Sequence, residues 1–251
     1  MAKHTVSASL TDNTKYMNRA LPVKKSFDII ERNLIIGGQN SAFYFIDGFT
    51  KDETMLKLMD SFLNISADDM PEDATSFSTS CIPYVEVDIL GDFDSIFKNL
   101  LSGVTCLFID GYEAAIAIDC RTYPSRSIEE PDKDKSLRGS RDGFVETIVF
   151  NTALMRRRIR DPHLIMEMYE AGTSTRTDVA LCYMSDRVDR ELLTTIQNKL
   201  EESKSQDLKM SQQSLAESLF QRKWYNPFPK YKFTERPDTA CACLMEGKVI
   251  L

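Results

Sequence analysis

The sequence has little of what most functional classes require. Histidine occurs only twice, as His4 and His163. The sequence holds no Ser–His–Asp order, no His–Cys metal cluster and no Gly-x-Ser-x-Gly turn. Positive charge is not in excess: the net charge is −7. That argues against a nucleic-acid partner, because duplex binders neutralise phosphates with clustered Lys and Arg. No apolar run approaches the ~20 residues a membrane helix needs. The most apolar stretch, residues 104–118, is broken by Asp110, Tyr112 and Glu113. The N-terminus lacks the apolar centre of a signal peptide. The chain as given therefore reads as soluble and cytosolic.

Cysteine is present but not as a framework. The six cysteines sit mostly inside apolar segments and read as small buried hydrophobes. Cys241-x-Cys243 has the wrong spacing for a zinc knuckle and no histidine beside it. No metal, no cofactor and no catalytic residue is predicted, and Asp47, Asp110 and Asp119 read as turn residues. Trp224 and Tyr225, beside Pro227 and Pro229, mark either an interaction loop or a small satellite cluster.

What is there is an ordinary globular composition, 42% hydrophobic and 27% charged over 251 residues. That length makes one large domain or two small ones. Residues 10–21 read as a short polar helix. Residues 27–36 and 42–46, parted by Gly37-Gly38, read as a hairpin closed by Asp47-Gly48. Met55, Leu56, Met59 and Phe62 place a helix over residues 52–62. Residues 66–80 read as a polar loop, 84–89 as a half-buried strand, and Asp94 as the cap of a helix to Ser102. Residues 104–109 and 114–120 form a second hairpin around Asp110-Gly111. Residues 123–140, with two prolines and dense charge, read as a linker.

From Phe144 a long helix runs to about Arg160, with Phe144, Ile148, Met155 and Ile159 on one face. Asp161-Pro162 stops it. A hairpin follows over 164–169 and 178–184. A helix over 190–200 turns Leu192, Leu193, Ile196 and Leu200 inward, and a further helix is expected over 212–220. Residues 230–234 alternate like a strand, Asp238 opens a helix to Met245, and residues 249–251 begin a strand.

The second half repeats the first. Gly103 pairs with Gly247 at an offset of 144, which also brings Asp94 onto Asp238, Leu100 onto Leu244 and Leu101 onto Met245. Phe45 pairs with Tyr183 at 138, and Val85 and Val87 fall near Tyr231 and Phe233. The first copy runs seventeen residues from Gly103 to Cys120, but only four follow Gly247, so the chain is expected to stop inside its last hairpin. The predicted architecture is α/β (α+β), two tandem similar subdomains, each a small mixed β-sheet flanked by helices. The first spans residues 1–122, the linker 123–142 and the second 143–251.

Several blocks carry a resemblance. They are Glu130-Pro131, then Leu137-Arg138-Gly139-Ser140-Arg141-Asp142-Gly143-Phe144-Val145-Glu146. Next come Asn151-Thr152-Ala153-Leu154-Met155-Arg156-Arg157-Arg158-Ile159-Arg160-Asp161-Pro162 and Thr234-Glu235-Arg236-Pro237-Asp238. Phe45-Ile46-Asp47-Gly48 and Phe108-Ile109-Asp110-Gly111 join them. Together these resemble the GerA family of spore germination proteins. The short N-terminus and the residues around Asp47 and Glu130 look most like its stage V sporulation branch, the SpoVAF type.

The resemblance implies a soluble N-terminal region of two α/β subdomains, on the cytosolic side of the spore inner membrane, with a membrane domain absent from this chain. It implies homo-oligomers and other germination membrane subunits as partners, in nutrient-triggered ion release. It implies a regulatory or assembly part, not an enzyme. The alternative from the residues alone is a small-molecule-binding module using a cleft between two α/β lobes.

Within the motif, Arg138, Gly139, Arg141 and Gly143 precede a helix, where free N–H groups can hold an anion. The pattern is not a phosphate loop, since no Lys-Ser/Thr pair follows the last glycine. The structural alternative has Asp142 cap the helix while Arg138 and Arg141 tie the linker to acidic partners. Arg156, Arg157, Arg158 and Arg160 crowd the helix C-terminus, either as a dipole-matched solvated end or as an interface to lipid headgroups or a neighbouring subunit. Phe144, Glu146, Asn151, Asp161, Pro162, Glu235, Arg236 and Pro237 complete the assembly candidates. Glu235 and Arg236 are expected to pair with the linker arginines or Glu146.

Overall fold

The computed structural model describes residues 4–50, 52–84, 86–123, 142–204, 215–216, 219 and 231–251. The chain divides into two compact units, one of Met1–Ser125 with Ile159–Pro162, the other of Arg126–Arg158 with His163–Leu251.

In the first unit, α1 (Leu10–Ala20) starts at Ser9, whose hydroxyl accepts the Asp12 N–H. Strands β1 (Ile29–Ile36) and β2 (Gln39–Ile46) pair in full register from Ile29–Ile46 to Ile36–Gln39. Gly37 and Gly38 take φ of 52° and 78°, the two-residue turn that matches strand twist. Helices α2 (Asp52–Leu63), α3 (Ala74–Ser80) and α4 (Phe93–Leu101) follow, with β3 (Val87–Leu90) before α4. β4 (Thr105–Ile109) and β5 (Ala115–Ile118) complete a sheet in the order β1-β2-β4-β5-β3. Every ladder is antiparallel, where a mixed sheet was expected.

The central strands β4 and β5 are buried throughout because helices cover both faces. Phe43, Leu107, Ile116 and Ile118 meet Leu58, Phe62 and Phe77 from α2 and α3. The alternate residues face the other way: Tyr44 packs edge-on to Phe108 at 5.7 Å, and Phe108 stacks on Phe93 at 6.1 Å. His4 packs on Tyr16 at 4.1 Å, and its carbonyl accepts the Phe93 N–H.

In the second unit, α5 (Ile148–Arg158) precedes the antiparallel hairpin of β6 (Leu164–Ala171) and β7 (Thr177–Met184). Then come α6 (Arg190–Ser203), capped by Asp189, and α7 (Pro237–Met245). Leu181, Tyr183, Leu193, Ile196 and Leu200 centre its core. Ile250 bridges Cys182 with both backbone hydrogen bonds.

The repeat is visible bond by bond. α1 and α5 differ by 138 at both ends, as do β2 and β7. α4 and α7 differ by 144 at both ends. Gly103 donates to Leu100 and Val104 to Asn99; Gly247 donates to Leu244 and Lys248 to Cys243. Both glycines hold the left-handed conformation, φ 99° and 84°, that closes such helix ends. The Val6 N–H reaches the Gly91 carbonyl, and the Phe144 N–H the Glu235 carbonyl. The offset of 144 therefore reaches back to residue 91 and aligns Val87 with Tyr231, not Val85.

Several local expectations change. Residues 74–80 form a helix, not a loop: Asp73 caps it, Phe77 is buried, and Ser78, Thr79 and Ser80 hydroxyls bond back to earlier carbonyls. Asp92, not Asp94, caps α4 through the Ser95 N–H. α5 begins at Ile148, not Phe144. Leu192 is exposed, so the inward face of α6 is Leu193, Ile196 and Leu200. Residues 231–234 form no strand. The linker and most of the 212–220 helix, with Trp224 and Tyr225, lie outside the described residues.

Candidate assembly site

The signature blocks meet in one corner of the second unit, where α5 starts, α5 ends and α7 begins. Asn151, in the first turn of α5, folds its side chain back onto the strand-like lead-in. Its Oδ1 accepts the Val145 N–H at 2.7 Å and its Nδ2 donates to the Val145 carbonyl at 2.6 Å. A side-chain amide thus mimics a backbone partner for one residue. The preceding contact, Phe144 N–H to Glu235 carbonyl at 2.8 Å, ties the same lead-in to the segment before α7.

Arg158 and Asp142 form an ion pair at 2.8 Å, both partly exposed. Asp142 therefore does not cap α5, whose first turn lies six residues further on. Arg236 is buried and grips Asp238 in a fork, Nε to Oδ1 at 3.1 Å and Nη2 to Oδ2 at 2.6 Å. The hydrogen bond from Arg236 holds the Asp238 carboxyl below its usual range, with the Thr239 N–H and the charge of Arg158 helping. Pro237 opens α7, where a missing N–H costs nothing. Behind this pair, burial pushes the Cys241 thiol up to about 11, and its Sγ approaches the Met155 carbonyl at 3.9 Å. A thiol held neutral in an apolar interior is a packing group, not a nucleophile.

The three arginines of α5 and Arg160 beyond it separate by exposure. Arg156 is 0% exposed, and its Nη2 donates to the Leu164 carbonyl at 3.0 Å, fastening the helix to the first residue of β6. It is part of the core, and neither a solvated helix end nor an interface. Arg157 and Arg160 are exposed, and Arg158 is half-buried in its pair with Asp142. Glu146 and Glu235 are exposed, and Gly143 is buried. Arg236 pairs with Asp238. Asp161 and Pro162 cluster with the other unit. Arg138, Gly139 and Arg141 lie outside the described residues.

Arg158 with Asp142 and Arg236 with Asp238 brace this corner as ion pairs. Among the described residues no His, Cys, Asp and Glu group could hold a metal ion. In the first unit a shallow cleft of about 600 Å³ is lined by Tyr84, Glu86, Asp119, Arg121 and Tyr123. Its Arg121 already pairs with Asp119 and donates to the Ser102 hydroxyl at 3.0 Å. No helix among the described residues is long and apolar enough to cross a membrane.

Spacing alone missed the Asn151 loop-back. The signal for it was the repeat: Asn13, 138 positions earlier, makes the same pair of bonds with Ser7 at 2.9 and 2.6 Å.

Residues 15–251 match the family model described as Bacillus/Clostridium GerA spore germination protein. The chain is similar to stage V sporulation protein AF of Bacillus subtilis (strain 168), 33% identical over 95% of this chain and 48% of that protein. It is also similar to the uncharacterized membrane protein YfkQ of the same organism, 29% identical over 97% of this chain and 47% of that one. The chain thus spans about half the length of these relatives. Its fold is that of the crystallised N-terminal domain of the A subunit of the Bacillus megaterium spore germinant receptor GerK3. The TM-score is 0.69 at 22% identity, covering 99% of this chain and 92% of that one.

Proposed function

Because the chain belongs to the GerA family of spore germination proteins, we propose that it is the N-terminal regulatory and assembly part of a spore germination membrane protein of the SpoVAF type. In this reading it lies on the cytosolic side of the spore inner membrane. It joins copies of itself and other germination subunits, and takes part in nutrient-triggered ion release. The observation that carries the reading is the division of labour in the signature. Its inner members, Asn151, Arg156 and Arg236, brace one corner of a lobe, while Arg157, Glu146 and Glu235 of the same lobe are exposed. A signature spent on architecture and exposed charge suits a part that transmits or assembles, because a catalytic site needs a group with an open reaction partner.

The test is charge reversal at two exposed arginines. Arg157→Glu with Arg160→Glu, in the full protein in sporulating cells, is expected to cut co-purification of differently tagged copies at least about tenfold, roughly 1.4 kcal/mol of coupling. Slower ion release on nutrient addition should accompany it, with the melting temperature of the 251-residue chain unchanged within about 1 °C. Undiminished co-purification and unchanged ion release would overturn the assignment.

A further inference from the structure

Within the repeat, α2 and α6 hold the same place, offset by 138 at their first residues. Their inward positions agree: Met55, Leu58 and Phe62 answer to Leu193, Ile196 and Leu200. Their outward positions do not. Leu56 is 71% exposed and Leu63 57%, and the residues at their places in α6 are Thr194 and Glu201. Asp52 and Asp60, exposed on the same outward side of α2, answer to Arg190 and Asn198. The fold therefore asks for no leucine there, since the second unit fills the same positions with polar groups. Leu56 and Leu63 lie two turns apart on one stripe, with Asp60 between them. An apolar stripe that the fold does not need, set among charges on an outer face, marks a contact surface.

The surroundings of the stripe are strongly acidic. Residues 52–80 carry seven carboxylates, all exposed, against Lys57 alone among bases. α2 and α3 cover the face of the first sheet that Phe43, Leu107 and Ile116 build. α1 lies on the opposite face, where Tyr16 meets Phe93 at 4.4 Å and Phe93 stacks on Phe108. That side has the opposite charge. Residues 13–27 contain Lys15, Arg19, Lys24 and Lys25, all exposed, and no acid. Lys15 and Arg19 are four residues apart and leave α1 on one side; the acid of α1 is Asp12, in its first turn. Ile35 of β1, 63% exposed, points to the same side as Glu31, which Asn18 of α1 contacts. One lobe thus carries an acidic, leucine-bearing front and a basic back.

We propose that the outward face of α2 is a docking surface for a second copy of this chain, which offers the side of α1 bearing Lys15 and Arg19. This rests on the reading that copies of the chain join, and it names the surface through which their first units do so. Charge sets the arrangement. Two α2 faces laid on each other oppose carboxylates, and two α1 faces oppose Lys15 and Arg19, so a two-fold contact of like on like is disfavoured. Front on back satisfies both signs and repeats from one copy to the next. Leu56 and Leu63 supply the apolar centre of the contact, packed on Ile35 and on the aliphatic stems of Lys15 and Arg19. The exposed ion pairs around them add little affinity singly and serve chiefly to select the orientation.

The test is a charge swap in the full protein, read as co-purification of differently tagged copies from sporulating cells. Asp52→Lys with Asp60→Lys, and separately Lys15→Glu with Arg19→Glu, are each expected to cut co-purification at least about tenfold. A chain carrying all four substitutions is expected to recover at least about half of the wild-type yield, because both faces have changed sign together. Leu56→Thr with Leu63→Glu, the residues α6 carries at those positions, should also cost at least about tenfold. Undiminished co-purification in either single-face variant would overturn the proposal. A four-substitution chain that fails to recover would assign the α2 face to some other basic partner, and would equally overturn it. Arg157 and Arg160 are unchanged in all these variants. Association lost on reversing them but kept here would reject this surface and leave the assembly reading standing, so the two failures are distinguishable.

Discussion

The two units use one set of backbone bonds with different side chains, and the difference separates what the fold requires from what each lobe adds. Asn13 and Asn151 make the same two bonds to the chain six residues earlier. One turn further along the same helix, the side chains diverge. Asn18 donates to Glu31 of β1 at 3.0 Å, and its counterpart Arg156 donates to the Leu164 carbonyl of β6 at 3.0 Å. Both fasten the helix to the strand that follows it. A short side chain does so half-buried, whereas a long one does so by fully burying a guanidinium, which needs hydrogen-bond partners in the interior to be tolerated. The position is structural in both lobes, although only in the second does it look, in the sequence, like part of a basic patch.

The comparison can be tested at matched sites. The largest effects are expected from the paired leucines. Leu100→Ala should cost about 4 kcal/mol and Leu244→Ala about 2–3, by chemical denaturation. Both side chains are fully buried, but exposed Met245 beside the second site gives it more freedom to collapse. Equal losses would mean that the two layers are equally closed.

Next come the helix-ending glycines. A Cβ on Gly103 would stand 2.4 Å from Cδ2 of Phe49, and one on Gly247 2.6 Å from the Arg187 carbonyl oxygen. With positive φ at each, alanine should destabilise by about 2–3 kcal/mol in both lobes. A neutral Gly247→Ala would show that the second helix end is not held as the first is.

Asn13→Ala and Asn151→Ala should each cost about 2 kcal/mol, since each leaves a backbone N–H and a carbonyl without their partner. Asn151→Asp keeps the acceptor and loses the donor, so it should cost less than alanine only if the Val145 N–H bond dominates.

The smallest effect is electrostatic. Asp119 is held below its usual range by the hydrogen bond from Arg121, and Asp238 by that from Arg236. A carboxylate with a lowered folded value stabilises the fold above its unfolded value, near pH 4, and loses that contribution as pH falls through the folded value. Asp119→Asn and Asp238→Asn should therefore melt below wild type at pH 6 and converge with it near pH 2. The loss should stay under about 1 kcal/mol, because these carboxylates are partly exposed. A mutant that remained below wild type near pH 2 would point to lost packing instead of lost charge.

Much of the fold was legible because it rests on local rules. Gly37-Gly38 fixed the first hairpin, the spacing of Leu193, Ile196 and Leu200 fixed a helix, and the 144-residue offset between Gly103 and Gly247 carried a whole helix end. What was misread depended on partners distant in the chain. Residues 74–80 are Ser- and Thr-rich and have weak helix propensity; burial of Phe77 and the Asp73 cap override it. Asp92 and Asp94 are equally plausible caps by spacing, and the Ser95 hydrogen bonds decide between them. Within the candidate site, the blocks were legible but their exposure was not. A run of three arginines at a helix end reads as surface, and only tertiary packing reveals that Arg156 turns inward. The strand expected at residues 230–234 has the right alternation, yet its described residues 231–234 form no strand, because alternation records a face without recording what lies beside it.

The doubled anchorage of the lead-in at residues 144 and 145 has a mechanical consequence. One residue is bonded to the segment before α7, and the next is clasped by the Asn151 amide of α5. A pull arriving along the chain from the N-terminal side is thus split between two helices before it reaches the sheet. To pull the lead-in free, three short bonds must break, two to α5 and one to the segment before α7, so the corner behaves like a strain-relief collar on a cable, protecting the lobe from being unravelled.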